Sequence, residues 1–301
     1  MERMICNRWF RRKTSFLEKN FSWADAGTVI LGVPMDSTSS YRPGARFAPE
    51  EIRKVFDCLE NYSLELDADF SSARVHDLGD LILPTADPQE SLFRVEKVVT
   101  EIVKQGKKPL LIGGDHSITY APVCALFSNG YPDLAVLHFD AHFDLRPRYL
   151  GEEISHASVI YRIVKRGIKH IYQFGIRSAD AAEVDVADRN TKYFSRGILA
   201  ALKRTIEELE DRPVYVTVDI DVVDPAYAPG TGTPEPGGIT STCLLRALTL
   251  IRDLNLVGFD LVEVNPAYDH GQITTILGAK IIREAILILE GGRNHADGRM
   301  Q

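Results

Sequence analysis

What most constrains the fold of this chain is where it places its acids. Three short segments, Gly113-Gly114-Asp115-His116-Ser117, Asp140-Ala141-His142-Phe143-Asp144 and Asp219-Ile220-Asp221, each follow an apolar, largely β-branched run. Together they bring two histidines and, with Asp115, five carboxylates to the ends of segments that read as interior strands. A buried carboxylate without a partner is costly. A fold that gathers these groups therefore needs cations among them, and a pair of divalent metals is the simplest supply.

The apolar runs at 28–33 (TVILGV), 110–112, 134–139 (LAVLHF), 171–175, 214–218 (VYVTV) and 257–262 read as strands. Most lack strict alternation, as expected of strands covered on both faces of a parallel sheet. Helical periodicity fills the intervals. Asp87 is placed to N-cap with Pro88 at the first helical position, Leu92, Val95, Val99 and Ile102 form one apolar face, and Gly106 stops the helix. Residues 241–254 and 276–289 have similar character. This βαβ rhythm over 301 residues, with no internal linker or repeat, predicts a single α/β domain, 1–301, with a mostly parallel central sheet. In such sheets ligands bind outside the carboxyl ends of the strands. Four predicted strands send polar groups to that edge: His116 after the second, Asp140 to Asp144 after the third, Asp219 and Asp221 after the fifth, and Glu263 at the end of the last.

Alternate residues of Asp140-x-His142-x-Asp144 share a side if the segment stays extended. Carboxylate oxygens with imidazole suit Mn²⁺, Zn²⁺ or Fe²⁺. The six side chains His116, Asp140, His142, Asp144, Asp219 and Asp221 are too many for one catalytic zinc with an open position, and fit two metals sharing a water. His156, in Ser155-His156-Ala157-Ser158, follows this loop closely and suits a proton shuttle. Ser155 is a poor nucleophile candidate, because no nucleophile-elbow glycine pattern surrounds it. His76, His138, His170 and His295 stand alone and read as core or surface histidines, although His138 is close enough to Asp140 to support the site; His270 is ambiguous. Gly113-Gly114 is a weak phosphate signature without GxGxxG or a P-loop lysine. The glycine-rich 230–238 loop reads equally as a tight turn or a wall of the substrate site.

The net charge is −7, a poor match to nucleic acid or an anionic membrane and a better one to cationic ligands. The four cysteines, Cys6, Cys58, Cys124 and Cys243, have no CxxC spacing and read as reduced thiols. No secretory signal or bilayer-length apolar run is present, so a cytoplasmic protein is expected.

The motifs GGDHS, DAHFD, SHAS, DIDVVDPAYAPGTGTPEPGG and FDLVEVNP resemble the signatures of the ureohydrolase (arginase and agmatinase) family, from about residue 33 to 285. Val33-Pro-Met-Asp, Tyr41-Arg-Pro-Gly-Ala-Arg-Phe and His76-Asp-Leu-Gly-Asp80 resemble its agmatinase branch. The resemblance implies a three-layer α/β/α fold, two Mn²⁺ ions and a homotrimer or homohexamer. It implies one metal on His116, Asp140, Asp144 and Asp219, and another on His142, Asp140, Asp219 and Asp221, with Asp140 and Asp219 bridging. It assigns catalysis to His156, Glu263 and Asp144, and substrate contacts to Glu263, Thr233 and His156, with Glu263 on the guanidinium. Arginases bind the substrate's α-carboxylate and α-amino group with Asn and Ser side chains after DxHxD; here residues 145–154 lack that pattern. The expectation is hydrolysis of agmatine to putrescine and urea; Glu152 and Glu153 read equally as acids facing the distal ammonium or as a solvated charged loop. Other guanidines (aminopropylagmatine, guanidinobutyrate, arginine), a deacetylase-like single-zinc hydrolase and a non-catalytic metal-binding protein are the alternatives.

Overall fold

A computed structural model describes residues 9–11 and 20–291; Cys6 and His295 lie outside them. Along the described residues the strands are β1 (Phe10–Arg11), β2 (Thr28–Gly32), β3 (Tyr62–Ser63), β4 (Ala68–Asp69), β5 (Val75–Leu81), β6 (Lys108–Ile112), β7 (Ala135–Phe139), β8 (His170–Phe174), β9 (Lys192–Phe194), β10 (Pro213–Asp219) and β11 (Asn255–Val262). The α-helices are α1 (Ala48–Phe56), α2 (Pro88–Lys104), α3 (Tyr120–Ser128), α4 (Val159–Arg166), α5 (Ala181–Asn190), α6 (Ile198–Leu209), α7 (Ser241–Leu250) and α8 (Ile273–Gly291).

Nine strands form one sheet in the order β1-β5-β2-β6-β11-β10-β7-β8-β9. Every neighbouring pair in it is parallel except β1 with β5 at one edge. Successive strand residues point to opposite faces, and the apolar runs therefore feed two cores. Ile30, Leu110, Val216 and Phe259 pack with Ile52 of α1, Leu202 of α6, Leu248 of α7 and Ile282 of α8. Val29, Leu31, Leu111 and Val136 pack with Val95 of α2, Val123 of α3 and Ile160 of α4. The result is the three-layer α/β/α arrangement with a mostly parallel sheet.

The six expected strands are β2, β6, β7, β8, β10 and β11, each with bounds within two residues of those expected. Asp87 does cap α2, accepting the Glu90 N–H at 2.9 Å, with Pro88 in the first turn. Strand β5 was not expected, because VHDLGDL has no apolar run. Its inward-facing Asp77 is instead held by a two-point fork from buried Arg53 of α1, at 2.9 Å on each oxygen.

Candidate active site

Strands β6, β11, β10 and β7 lie side by side at the centre of the sheet. Their carboxyl ends deliver His116, Glu263, the Asp219/Asp221 pair and the Asp140–Asp144 segment to one place. Gly113-Gly114 makes the first delivery possible. The chain leaves β6 against the backbone of residues 33–35, with the Gly114 N–H bonded to Val33 O at 3.0 Å and the Asp115 N–H to Met35 O at 2.7 Å. A Cβ on Gly114 would collide with the Met35 carbonyl. This is a close backbone approach and supplies the structural reason for the glycines. Asp115 then caps the 3₁₀ turn that carries His116, accepting the Ser117 N–H at 3.1 Å.

The His116 ring is buried, and its Nε2 lies 3.0 Å from the Thr217 hydroxyl. A ring N–H donated there leaves Nδ1 facing Asp140, Asp144 and Asp219, whose Oδ2 atoms lie 2.9, 3.2 and 3.2 Å away. No aligned hydrogen bond satisfies that nitrogen. One lone pair amid three carboxylate oxygens is the donor set of a cation, and the residues fit a divalent metal there. His142 turns the other way, its Nδ1 3.0 Å from Asp221 Oδ2 and 3.4 Å from Asp140 Oδ1. Asp140 thus faces both histidines, one with each oxygen. Two donor groups can be drawn: His116, His138, Asp140 and Asp144, and Asp140, His142 and Asp221. Asp219 faces His116 through Oδ2, while its Oδ1 accepts the Asp221 N–H at 2.9 Å.

His138 belongs to this network as a support. Gln173 Nε2 donates to His138 Nδ1 at 3.0 Å and to Phe143 O at 2.9 Å, so His138 carries its proton on Nε2 and donates it to Asp140 Oδ2 at 2.8 Å. Such an outer partner orients a ligand carboxylate.

The electrostatics match an excess of buried acid. Burial raises the Asp219 carboxyl well above its ordinary range, with Asp221 and Asp140 adding repulsion. Burial also works against a charged His116, but the Asp140, Asp144 and Asp219 carboxylates overcome it and hold the ring well above the usual imidazole range. So much buried acid fits divalent cations, whose binding here would be linked to proton release.

A cavity of about 190 Å³ opens over this cluster, lined among others by His116, His142, Asp144, His156, Thr233 and Glu263. Glu263 adopts a left-handed backbone (φ 62°) and is buried. Its Oε1 accepts the His116 N–H at 2.9 Å. Its Oε2 sits close to Gly232, where a Cβ would stand a tight 3.1 Å away. Burial, then the neighbouring Asp115 charge, push the Glu263 carboxyl well above its ordinary range. Thr233 Oγ1 reaches toward Asp221 Oδ2 at 3.5 Å, so the 230–238 loop is a wall of the cavity. Opposite stands His156, whose Nδ1–H is taken by Thr38 O at 2.7 Å and whose Nε2 points to Ser40 Oγ at 3.3 Å. Thr38 is itself tied by its N–H to Asp115 Oδ2 at 3.0 Å. Ser155 accepts the Ala157 N–H as a helix cap.

Two sequence expectations need correction. The Asp140–Asp144 segment is not extended throughout, since Asp144 sits at φ 55°, which is what turns its carboxylate to the His116 side. Glu152 and Glu153 do not line the cavity; Glu153 pairs with Arg148 at the surface. The acid that does line the outer wall is Glu183, with Arg146 and Tyr149. Glu183 accepts the Leu145 N–H at 3.1 Å and Arg146 Nε at 3.3 Å, and the Arg146 guanidinium lies 4.9 Å from the Tyr149 ring centre. The capping box Asp180-x-x-Glu183 just after β8 was the available signal for it. His76, His170 and His270 stand outside the cavity lining.

A model of the arginase family matches residues 26–288. An agmatinase of Bacillus subtilis (strain 168) is 45% identical over 276 residues, 90% of this chain and 95% of that protein. The crystal structure of the agmatine ureohydrolase of Thermoplasma volcanium superposes with a TM-score of 0.83 at 35% identity, covering 93% of this chain and 95% of that one. Proclavaminate amidino hydrolase from Streptomyces clavuligerus gives a TM-score of 0.84 at 33% identity, covering 93% and 98%.

Proposed function

The chain belongs to the arginase family, and from that membership and the chemistry of its cavity we propose that it hydrolyses agmatine to putrescine and urea. The observation that carries the reading is Glu263, a carboxylate fixed at one oxygen by the His116 N–H, open to the cavity at the other, and poised beside the His/Asp cluster.

The donor set fits two divalent cations. His116, Asp140, Asp144 and Asp219 would hold one; His142, Asp140, Asp219 and Asp221 would hold the other, with Asp140 and Asp219 shared. Their oxygen-rich character favours Mn²⁺. When bound, such a pair supplies Lewis acidity that ionises a water near neutral pH.

The chain's own groups do the rest. Burial pushes the Glu263 carboxyl well above its ordinary range, and a guanidinium entering beside it favours the ionised form, so that a charge-assisted pair sets the plane of the substrate. Thr233 gives its proton toward Asp221 and keeps a lone pair for a guanidinium N–H. His156, locked through Nδ1 by the Thr38 carbonyl, has Nε2 available to collect a proton and pass it to the departing amine nitrogen. Glu183, which lines the cavity beside Arg146 and Tyr149, would be the acid facing the amine tail in place of Glu152 and Glu153. The proposal extends to a homotrimer or homohexamer and to the cytoplasm; among the described residues no helix is long and apolar enough to cross a membrane.

The test is urea release with Mn²⁺ from agmatine, aminopropylagmatine, arginine and guanidinobutyrate. Agmatine is expected to lead. No urea from any guanidine would overturn the reading.

A further inference from the structure

A second cavity, of about 500 Å³, is lined by four cations, Arg148, Arg162, Lys165 and Arg166, against the single acid Glu153. Glu153 is already engaged by Arg148. The Arg162 guanidinium carbon lies 3.9 Å from the centre of the Tyr120 ring, and its Nη1 is buried with no hydrogen-bond partner among the described residues. Buried charged donors without an acceptor are rare in folded proteins and call for a ligand or an ion. Burial also works against the charge of Arg162. In a chain of net charge −7, so much uncompensated positive charge around one concavity is not a general property of the surface.

We propose that this cavity binds a small multivalent oxyanion of the phosphate class. Guanidinium forks match phosphate oxygens, and the contact with the Tyr120 ring positions Arg162 before any ligand arrives. The concave shape and the acidic net charge of the chain favour a small anion over a nucleic acid or an anionic membrane. The site also communicates with the first one. Pro147, Arg148 and Glu153 line it, while Arg146 and Tyr149 of the same segment line the active-site cavity. An anion that draws Arg148 from Glu153 shifts the segment that forms the outer wall for the substrate. Binding itself does not depend on the proposed guanidine hydrolysis; the coupling does.

The experiment is equilibrium dialysis of radiolabelled inorganic phosphate against the intact, metal-loaded protein at fixed ionic strength. Saturable binding is expected, weakened about tenfold or more by Lys165→Gln combined with Arg166→Gln, both exposed, and by Arg162→Lys, which keeps the charge but loses the fork. Circular dichroism and Tm check that each variant folds, and the exposed pair decides the matter if Arg162→Lys does not. Unchanged affinity in the double variant overturns the site, as does phosphate that agmatine displaces completely, which would place it at the metal cluster. If the wild type binds no phosphate and the double variant loses oligomer mass in sedimentation, the face belongs to a second copy and the proposal fails. Phosphate should also shift the KM for agmatine in the wild type and not in the double variant. If the protein releases no urea at all, dialysis still answers the question of the anion.

Discussion

Replacing Glu263 by glutamine removes one negative charge and almost no volume. The amide oxygen can still accept the His116 N–H that fixes Oε1 at 2.9 Å. The other end then presents an NH₂ to a substrate that is itself all donors. Breaking a buried ion pair by neutralising one partner costs about 3–5 kcal/mol, which at about 1.4 kcal/mol per decade is a fall of at least ~100-fold in kcat/KM. Stability should move little. Burial already favours the neutral acid in the free protein, so an amide is no worse a guest than the carboxyl, and Tm is expected to hold or rise. Metal content should also hold, because Glu263 touches the cluster only through a backbone N–H. The assays are urea release, Tm by circular dichroism and elemental analysis of one preparation. A kcat/KM within a few-fold of wild type, or metal lost together with activity, would refute the argument that Glu263 holds substrate and not cation.

Asp140→Ala should abolish urea release and strip both metals, since each of its oxygens faces a different histidine; full metal content by elemental analysis would sink the bridging assignment. Gly114→Ala forces a side chain into the Met35 carbonyl and should destabilise the fold by about 2 kcal/mol or more, read as a lower urea midpoint; a wild-type midpoint would show that the β6 exit relaxes freely. Arginine should trail agmatine by roughly a hundredfold in kcat/KM, because its α-carboxylate enters a cavity walled by Glu183 and the cluster acids. Arg146→Ala removes the one outer-wall cation and leaves Glu183 unpaired by it, so the agmatine-to-arginine ratio should rise, by about tenfold; a falling ratio would make Arg146 a carboxylate receptor.

The sequence showed the centre of the molecule better than its margins. Strands β6, β7, β10 and β11 are buried on both faces, so each announces itself as an apolar run, and the acid that follows marks its carboxyl end. Strand β5 was hidden because Arg53, distant in the chain, satisfies Asp77 on its inward face. Charge partners of that kind leave no local trace. The outer wall was hidden for a similar reason. Whether Glu153 or Glu183 faces the cavity depends on a helix cap and a loop path, and hydrophobic periodicity records neither. The turn at Asp144 also escaped, since aspartate tolerates both extended and left-handed backbone.

The side-by-side placement of β6, β11, β10 and β7 has a consequence for how the protein comes to exist. The bond between the His116 N–H and Glu263 joins positions 147 residues apart, and the acids between them arrive on two further strands. No contiguous fragment holds a full coordination set, so cations cannot nucleate folding and can only reward its completion. Long loops must close first, which makes for slow assembly. Once assembled, a cation held only by the finished fold stabilises it by about 4 kcal/mol when its free concentration is a thousand times Kd. The abundance of this protein in a metal-poor cell would then be set by proteolysis of chains still awaiting their ions.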